Sequence, residues 1–181
     1  MAPCCFLAVD RIGTLPVKQA VNMKSVLVID DNDDVRFVVV ATLRQAGYAV
    51  HEAGNGRDGI LTVLAQRPDL ILCDVQMPGM DGYRTLAAIR KFRSTVAIPF
   101  ILVTGSTKRS EFRRAMACGA DDYLMKPFSS KELIAAVESR LARQTDMQSD
   151  AFRQIERLRE IGLPQFTPEP ALTRASVAVA A

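Results

Sequence analysis

Four apolar segments of this chain each end in residues whose side chains can carry out chemistry. One segment ends in the adjacent carboxylates of Asp30 and Asp31, and another ends in Asp74. Two later segments end in the hydroxyl of Thr104 and the ammonium of Lys126. Taken singly, each has an ordinary structural explanation, such as a helix cap for an aspartate. As a set, three carboxylates placed together would repel one another and raise one another's pKa values.

A divalent cation would relieve that repulsion, and carboxylate, carbonyl and water oxygens suit Mg²⁺. With Mg²⁺, a spare carboxylate, a lysine and a hydroxyl are the groups that phosphoryl transfer needs. The cation and the lysine neutralise charge on the transferring oxygens, and a carboxylate can be the nucleophile that forms an aspartyl phosphate. The residue types therefore predict a Mg²⁺-dependent site for phosphoryl transfer.

The elements that would position these residues alternate between strands and helices. Short apolar runs predict strands at 25–30, 48–53, 69–74, 99–104 and 121–126. Apolar residues at helical spacing predict helices at 83–92, 111–118 and 131–141. Two earlier helices are predicted from their apolar faces: Val35, Val38, Val39, Leu43 and Ala46 in the first, and Ile60, Leu61, Val63 and Leu64 in the second. Parallel strands need crossover helices, so five such units predict an α/β fold with a parallel sheet. The carboxyl ends of its strands then meet at one crevice.

Local signals refine the helix ends and the flanks. Ser129 and Glu132 fit a capping box, and Gly47 and Gly119 lie where C-terminal caps would. The predicted domain is 24–143, preceded by a disordered segment at 1–23 that lacks periodicity. Residues 144–162 have helical spacing and predict a helical extension, for which Thr145 is a candidate cap. Residues 163–181 begin with prolines and predict a disordered tail.

Composition excludes several classes of protein. The 181 residues, 49% hydrophobic and 24% charged, fit one globular domain with appendages. No apolar run approaches the ~20 residues of a membrane span, and the N-terminus lacks the features of a secretory signal, so a cytoplasmic location is expected. The net charge of +3 does not argue for nucleic acid. The four cysteines form no disulfide or zinc pattern, and the single histidine, His51, leaves no obvious Ser-His or Cys-His pair.

Four stretches resemble the receiver domain of two-component response regulators. They are VLVIDDNDDVR, LILCDVQMPGMDG, ILVTGS and GADDYLMKPF, and they occur in the family's order and spacing between about Ser25 and Arg143. The resemblance implies a flavodoxin-like (βα)5 fold, a doubly wound parallel sheet with strand order 2-1-3-4-5.

The resemblance also implies the roles of the acidic residues. Asp74 would be the phosphoacceptor, taking a phosphoryl group from a histidine kinase or a histidine phosphotransfer protein. Asp31 and Asp74 would bind Mg²⁺ together with the backbone carbonyl of Gln76, and Asp30 would act largely through water.

Further roles are implied for three residues on the last two strands. Thr104 would hydrogen-bond one phosphoryl oxygen, and Lys126 would pair with another. Tyr123 occupies the switch-aromatic position, which moves inward when Thr104 engages the phosphate. The Lys126-Pro127 peptide bond is commonly cis in this family. Phosphorylation would then switch a protein-binding face for an unknown downstream protein, with self-association through helix 4, strand 5 and helix 5, or through the C-terminal helix, as an option.

Three other interpretations stay open. A phosphatase of the haloacid dehalogenase type also uses Asp, Mg²⁺, Thr and Lys, but its DxDx[TV] motif is absent after Asp30 and after Asp74. A pseudo-receiver usually lacks part of the acidic set, which this chain retains. The chain is also compatible with a receiver fragment of a larger hybrid kinase or output protein. We expect a phosphoryl acceptor that assists its own phosphorylation and dephosphorylation, not an enzyme, with no direct binding to nucleic acid or membrane.

Overall fold

Five strands alternate with five helices in the computed structural model, which describes residues 23–106 and 109–160. The strands are β1 (Ser25–Ile29), β2 (Ala49–Ala53), β3 (Leu70–Asp74), β4 (Phe100–Thr104) and β5 (Asp122–Met125). The helices are α1 (Asp33–Gln45), α2 (Gly56–Gln66), α3 (Gly82–Ile89), α4 (Arg109–Ala117) and α5 (Ser130–Glu160). Every strand begins and ends within one residue of its predicted bounds. Disorder is predicted for residues 1–23 and 163–181, which, apart from Met23, lie outside the residues that the structure describes.

The strands form one parallel sheet in the order β2-β1-β3-β4-β5. This confirms the predicted flavodoxin-like order. The order reverses at β1, whose neighbours β2 and β3 lie on its two sides, so the switch-point crevice opens at the carboxyl ends of β1 and β3. The register pairs Ile29 of β1 with Cys73 of β3, which places Asp30 and Asp74 one residue beyond, at the same edge.

Helices cover both faces of the sheet, which explains why the central strands are apolar without alternation. Successive strand residues point to opposite faces, so Leu27 and Ile29 pack beneath α2 and α3, while Val26 and Val28 pack beneath α1 and α5. Phe100 of β4 lies fully buried in the first of these two clusters.

The buried faces of α1 and α2 differ from those predicted. Val38 is 61% exposed, whereas its neighbour Val40 is buried against α5 and the sheet. On α2, Leu61 is exposed and Gly59 is buried. A Cβ on Gly59 would overlap the side chain of Ile29, so α2 approaches the sheet through a glycine and leaves its leucine outside.

The capping signals are confirmed by the hydrogen bonds at the helix ends. The backbone N–H and the hydroxyl of Ser129 donate to the Glu132 carboxylate, and the Glu132 N–H donates back to the hydroxyl. These bonds lower the pKa of Glu132. Gly47 and Gly119 both have positive φ.

The helical extension continues α5 without a break. The predicted cap at Thr145 is wrong, because its hydroxyl donates to the carbonyl of Leu141 inside the helix. Leu133, Val137 and Leu141 bury the first half of α5, while Phe152 in the second half is exposed. Among the described residues, none of the helices has both the length and the apolar character of a membrane span.

Candidate functional site

Three charged side chains meet at the carboxyl edge of the sheet. Asp30 follows β1, Asp74 ends β3 and Lys126 follows β5, and both carboxylates are buried. The Lys126 Nζ lies 2.8 Å from Oδ2 of Asp30 and 2.6 Å from Oδ1 of Asp74. Lys126 therefore links Asp30 and Asp74, which lie 96 and 52 positions before it in the chain.

The environment of Asp74 shifts its pKa. Its second oxygen accepts a hydrogen bond of 2.5 Å from the backbone N–H of Gln76. Burial raises the pKa of Asp74, and the nearby charge of Asp30 adds to the rise. The hydrogen bond and the charge of Lys126, together with the hydrogen bond from the Gln76 N–H, lower it. Burial alone would lower the pKa of Lys126, but its bonds to the two carboxylates raise the pKa and keep the ammonium charged.

Asp30, Asp74 and Lys126 line a cavity whose other lining residues are apolar, among them Val28, Leu72 and Leu133. Apolar surroundings limit screening by water, so charges at this edge interact more strongly than they would on an open surface. The arrangement favours a ligand that brings both negative charge for Lys126 and positive charge for the carboxylates.

Asp31 lies apart from the buried charges: it is exposed in the turn between β1 and α1. Among residues 23–106 and 109–160, no three acidic, histidine or cysteine side chains are grouped closely enough to form a metal cage. The oxygen donors nevertheless fit Mg²⁺, which usually takes one or two carboxylates and keeps several waters. Asp74 and, from the turn, Asp31 would supply carboxylates to the ion, with the buried Asp30 acting largely through water.

Thr104 and Tyr123 are linked through Ser106. The buried Thr104 hydroxyl accepts a 3.1 Å hydrogen bond from the Ser106 N–H, and the Tyr123 hydroxyl donates to the Ser106 carbonyl at 2.9 Å. Tyr123 is half-buried against the core beneath α4. Thr104 also accepts, through its carbonyl, a 2.7 Å bond from the N–H of Lys126. The Lys126-Pro127 peptide bond is cis, as the resemblance implied.

Two residues near the site were missed in the sequence. Arg36 stands at the end of the first motif, yet one arginine on a helix carries no signal of its target. Ser106 follows ILVTG and resembles an ordinary loop residue. Both act through backbone carbonyls, whose positions depend on the folded chain.

The sequence model of the response regulator receiver domain family matches residues 26–138 of this chain. The phosphate regulon transcriptional regulatory protein PhoB of Pseudomonas aeruginosa is 34% identical over 128 residues, which are 71% of this chain and 56% of PhoB. The DNA-binding response regulator MtrA of Mycobacterium tuberculosis is 36% identical over 121 residues, 67% of this chain and 52% of MtrA. The chain thus spans about half the length of these curated relatives.

Solved structures of similar fold cover about two thirds of the chain. The chemotaxis response regulator CheY4 of Vibrio cholerae has a TM-score of 0.63 and 32% identity, over 65% of this chain and 98% of that one. The receiver domain of the sensor histidine kinase PA1611 of Pseudomonas aeruginosa, solved with a magnesium ion in its active site cleft, has a TM-score of 0.63 and 29% identity, over 66% and 98% of the two chains. With its parallel sheet in the order 2-1-3-4-5 and its acidic crevice, this chain belongs to the response regulator receiver domains of two-component systems.

Proposed function

We propose that Asp74 accepts a phosphoryl group from a histidine kinase or a histidine phosphotransfer protein in a Mg²⁺-dependent phosphorelay. The observation that carries the proposal is the buried Asp74 carboxylate, held by Lys126 on one oxygen and by the Gln76 N–H on the other, beside Asp30. Incubation of the chain with a phosphohistidine donor in Mg²⁺, followed by mapping of the labelled residue, tests the proposal.

In the proposed step, an oxygen of Asp74 attacks the phosphorus of the donor. The bond between phosphorus and the imidazole nitrogen breaks, and the nitrogen keeps the electron pair and takes up a proton. Lys126 then pairs with a phosphoryl oxygen, where its charge offsets the added negative charge. Mg²⁺, when bound, neutralises charge on the transferring oxygens. Asp30, Asp31 and the carbonyl of Gln76 are the further groups proposed to hold the ion, with Asp30 acting largely through water.

The protein in this proposal is an acceptor and not an enzyme that turns over a separate substrate. Attack of water on the aspartyl phosphate returns the free carboxylate, and the same residues assist that step. Phosphorylation changes the charge at the site and thereby biases two conformations of the chain.

Loss of Asp31 should weaken Mg²⁺ binding to the unphosphorylated protein. We expect Asp31→Ala to raise the dissociation constant by about tenfold or more, because a direct carboxylate ligand is removed. Asp34→Ala is the matched control, since Asp34 is also exposed and acidic at the start of α1. Titration followed by backbone amide NMR shifts measures both constants. An equal change in the two variants would indicate general electrostatic attraction and not ligation.

Loss of the Thr104 hydroxyl should separate phosphorylation from the conformational response. A hydrogen bond to a charged phosphoryl oxygen is worth about 1.5–3 kcal/mol and is made in only one state, so Thr104→Ala should shift the ratio of the two states by roughly tenfold or more. Ring NMR signals of Tyr123, with and without phosphorylation, report the response. Thr104→Ser keeps the hydroxyl and should therefore retain the conformational response. A full wild-type response in phosphorylated Thr104→Ala would remove Thr104 from the switch.

The wider context of the chain is also part of the proposal. We propose a receiver at 24–143 whose α5 extends beyond it as a helix, with a downstream protein or a second copy of the chain as the target of the switched face. Because the relatives are named as transcriptional or DNA-binding regulators and only about half of their length is matched, the expectation that this chain binds no nucleic acid stays a prediction. The cytoplasmic location also stays a prediction.

A further inference from the structure

Arg36 connects three separate segments next to the acidic crevice. Its side chain is only 18% exposed and lies in the first turns of α1. Nη1 donates to the backbone carbonyl of Asp30 at 2.7 Å, and Nη2 donates to the Asp33 carboxylate at 2.5 Å. Nε lies 3.9 Å from a carboxylate oxygen of Glu52 on β2. The planar guanidinium therefore ties the β1–α1 turn to both the helix and the edge strand.

The carbonyl that Arg36 holds belongs to the peptide that joins Asp30 to Asp31. The other hydrogen bonds of Asp30 use different atoms. The Asp30 N–H donates to the carbonyl of Ala53, and one Asp30 carboxylate oxygen accepts from the N–H of Asn32. Rotation of the peptide plane would swing the exposed Asp31 side chain relative to the buried Asp30 carboxylate. The guanidinium opposes that rotation.

We infer that Arg36 is a positioning residue for the cation site, holding the Asp30–Asp31 peptide so that both carboxylates are presented to a bound Mg²⁺. This inference rests on the proposed function. The arginine touches neither the ion nor the phosphoryl group. It acts through the backbone that carries Asp31, the proposed direct ligand, and Asp30, which acts largely through water, in the way that outer groups orient the ligands of a metal.

Charge and positioning make opposite predictions for the loss of Arg36. Its removal takes away a positive charge beside Asp30, leaves the Asp33 carboxylate without its partner and leaves Glu52 paired with Arg44 alone. On charge alone, the affinity for Mg²⁺ should therefore rise. If the arginine orders the ligands, the affinity should fall, because the site must pay the cost of ordering the turn when the ion binds.

Magnesium titration of the full chain, followed by amide NMR shifts of residues 30–34, tests the inference. We expect Arg36→Gln to raise the dissociation constant for Mg²⁺ by about tenfold. Arg36→Lys keeps the charge but not the fork of donors, so it should also bind more weakly than the wild type. The matched control is Arg44→Gln, which removes the other arginine bound to Glu52, at 3.0 Å, without contact to Asp30. Its dissociation constant should not rise.

Unchanged or tighter binding by Arg36→Gln, or wild-type binding by Arg36→Lys, would overturn the inference. If Arg36→Gln does not fold, Arg36→Lys decides alone. Hydrogen exchange of the Asn32 amide without Mg²⁺ gives a readout that needs no ion: it should be faster in the Arg36 variants and unchanged in Arg44→Gln. Failure of the wild type itself to bind Mg²⁺ would reject the proposed function along with this inference, whereas a wild type that binds and an unaffected Arg36→Gln would reject the inference alone.

Discussion

Replacement of Asp74 by asparagine should reduce phosphorylation of the chain to background. An amide has the shape of the carboxylate but lacks its nucleophilic oxygen, so no acyl phosphate can form. The single amide oxygen can accept from Lys126 or from the Gln76 N–H, and Lys126 keeps its bond to Asp30, so the fold should persist. Labelling with a small acyl-phosphate donor or a phosphohistidine donor in Mg²⁺ measures the loss, the expected label being stable in acid and labile in base.

Asp81→Asn is the matched control for this experiment. Its side chain caps α3 by accepting from the N–H of Arg84 at 2.7 Å, and asparagine caps helices equally well. It should be labelled as the wild type is. Equal labelling of wild type and Asp74→Asn would transfer the acceptor role to another residue and remove the basis of the proposed phosphorelay.

Addition of one methyl group at Gly82 should destabilise the protein by about 3 kcal/mol, the upper end of the usual cost of overpacking. A Cβ at this position would overlap the carbonyl oxygen of Asp74 and lie 3.0 Å from the Cα of Val75. Both are backbone atoms, so no side chain can rotate away to make room. The first turn of α3 would have to move, together with the peptide that carries the acceptor. Chemical denaturation of Gly82→Ala measures the loss of stability.

The same substitution should slow phosphorylation, because a displacement of about 1 Å at a reacting group can cost roughly a hundredfold in rate. Gly105→Ala is the control, since a Cβ there would meet no atom within 4 Å. Its free energy of unfolding should stay within about 0.5 kcal/mol of the wild type. Equal stability of Gly82→Ala and wild type would mean that α3 yields easily and does not press on the acceptor peptide.

Much of the site could be predicted from the sequence because parallel strands deliver their last residues to one edge. Asp30, Asp74 and Lys126 each follow an apolar run, and once five such runs alternate with helices, the three residues must converge. The caps at Ser129, Gly47 and Gly119 were also predictable, since they depend on contacts within a few residues.

The faces of the helices were less predictable because periodicity defines a broad stripe and not one line of contact. Val38 and Val40 both lie near the apolar stripe of α1, and the packing of α1 against α5 and the sheet selects Val40. On α2, the leucine at 61 follows the helical spacing, but the close approach that Gly59 allows to Ile29 turns it towards solvent.

The order of residues in the chain determined which chemistry was available, because it places carboxylates, a hydroxyl and a lysine at the ends of the strands. The tertiary structure alone decided how those groups are held. Lys126 pairs with Asp30 and Asp74 and not with Asp31. Ser106 links Thr104 to Tyr123. Arg36 donates a hydrogen bond to the carbonyl of Asp30. The physical reason is that two of these three arrangements use backbone carbonyls as acceptors. Every residue has one, so the sequence does not distinguish among them, and only the path of the folded chain brings a particular carbonyl within reach of a particular donor.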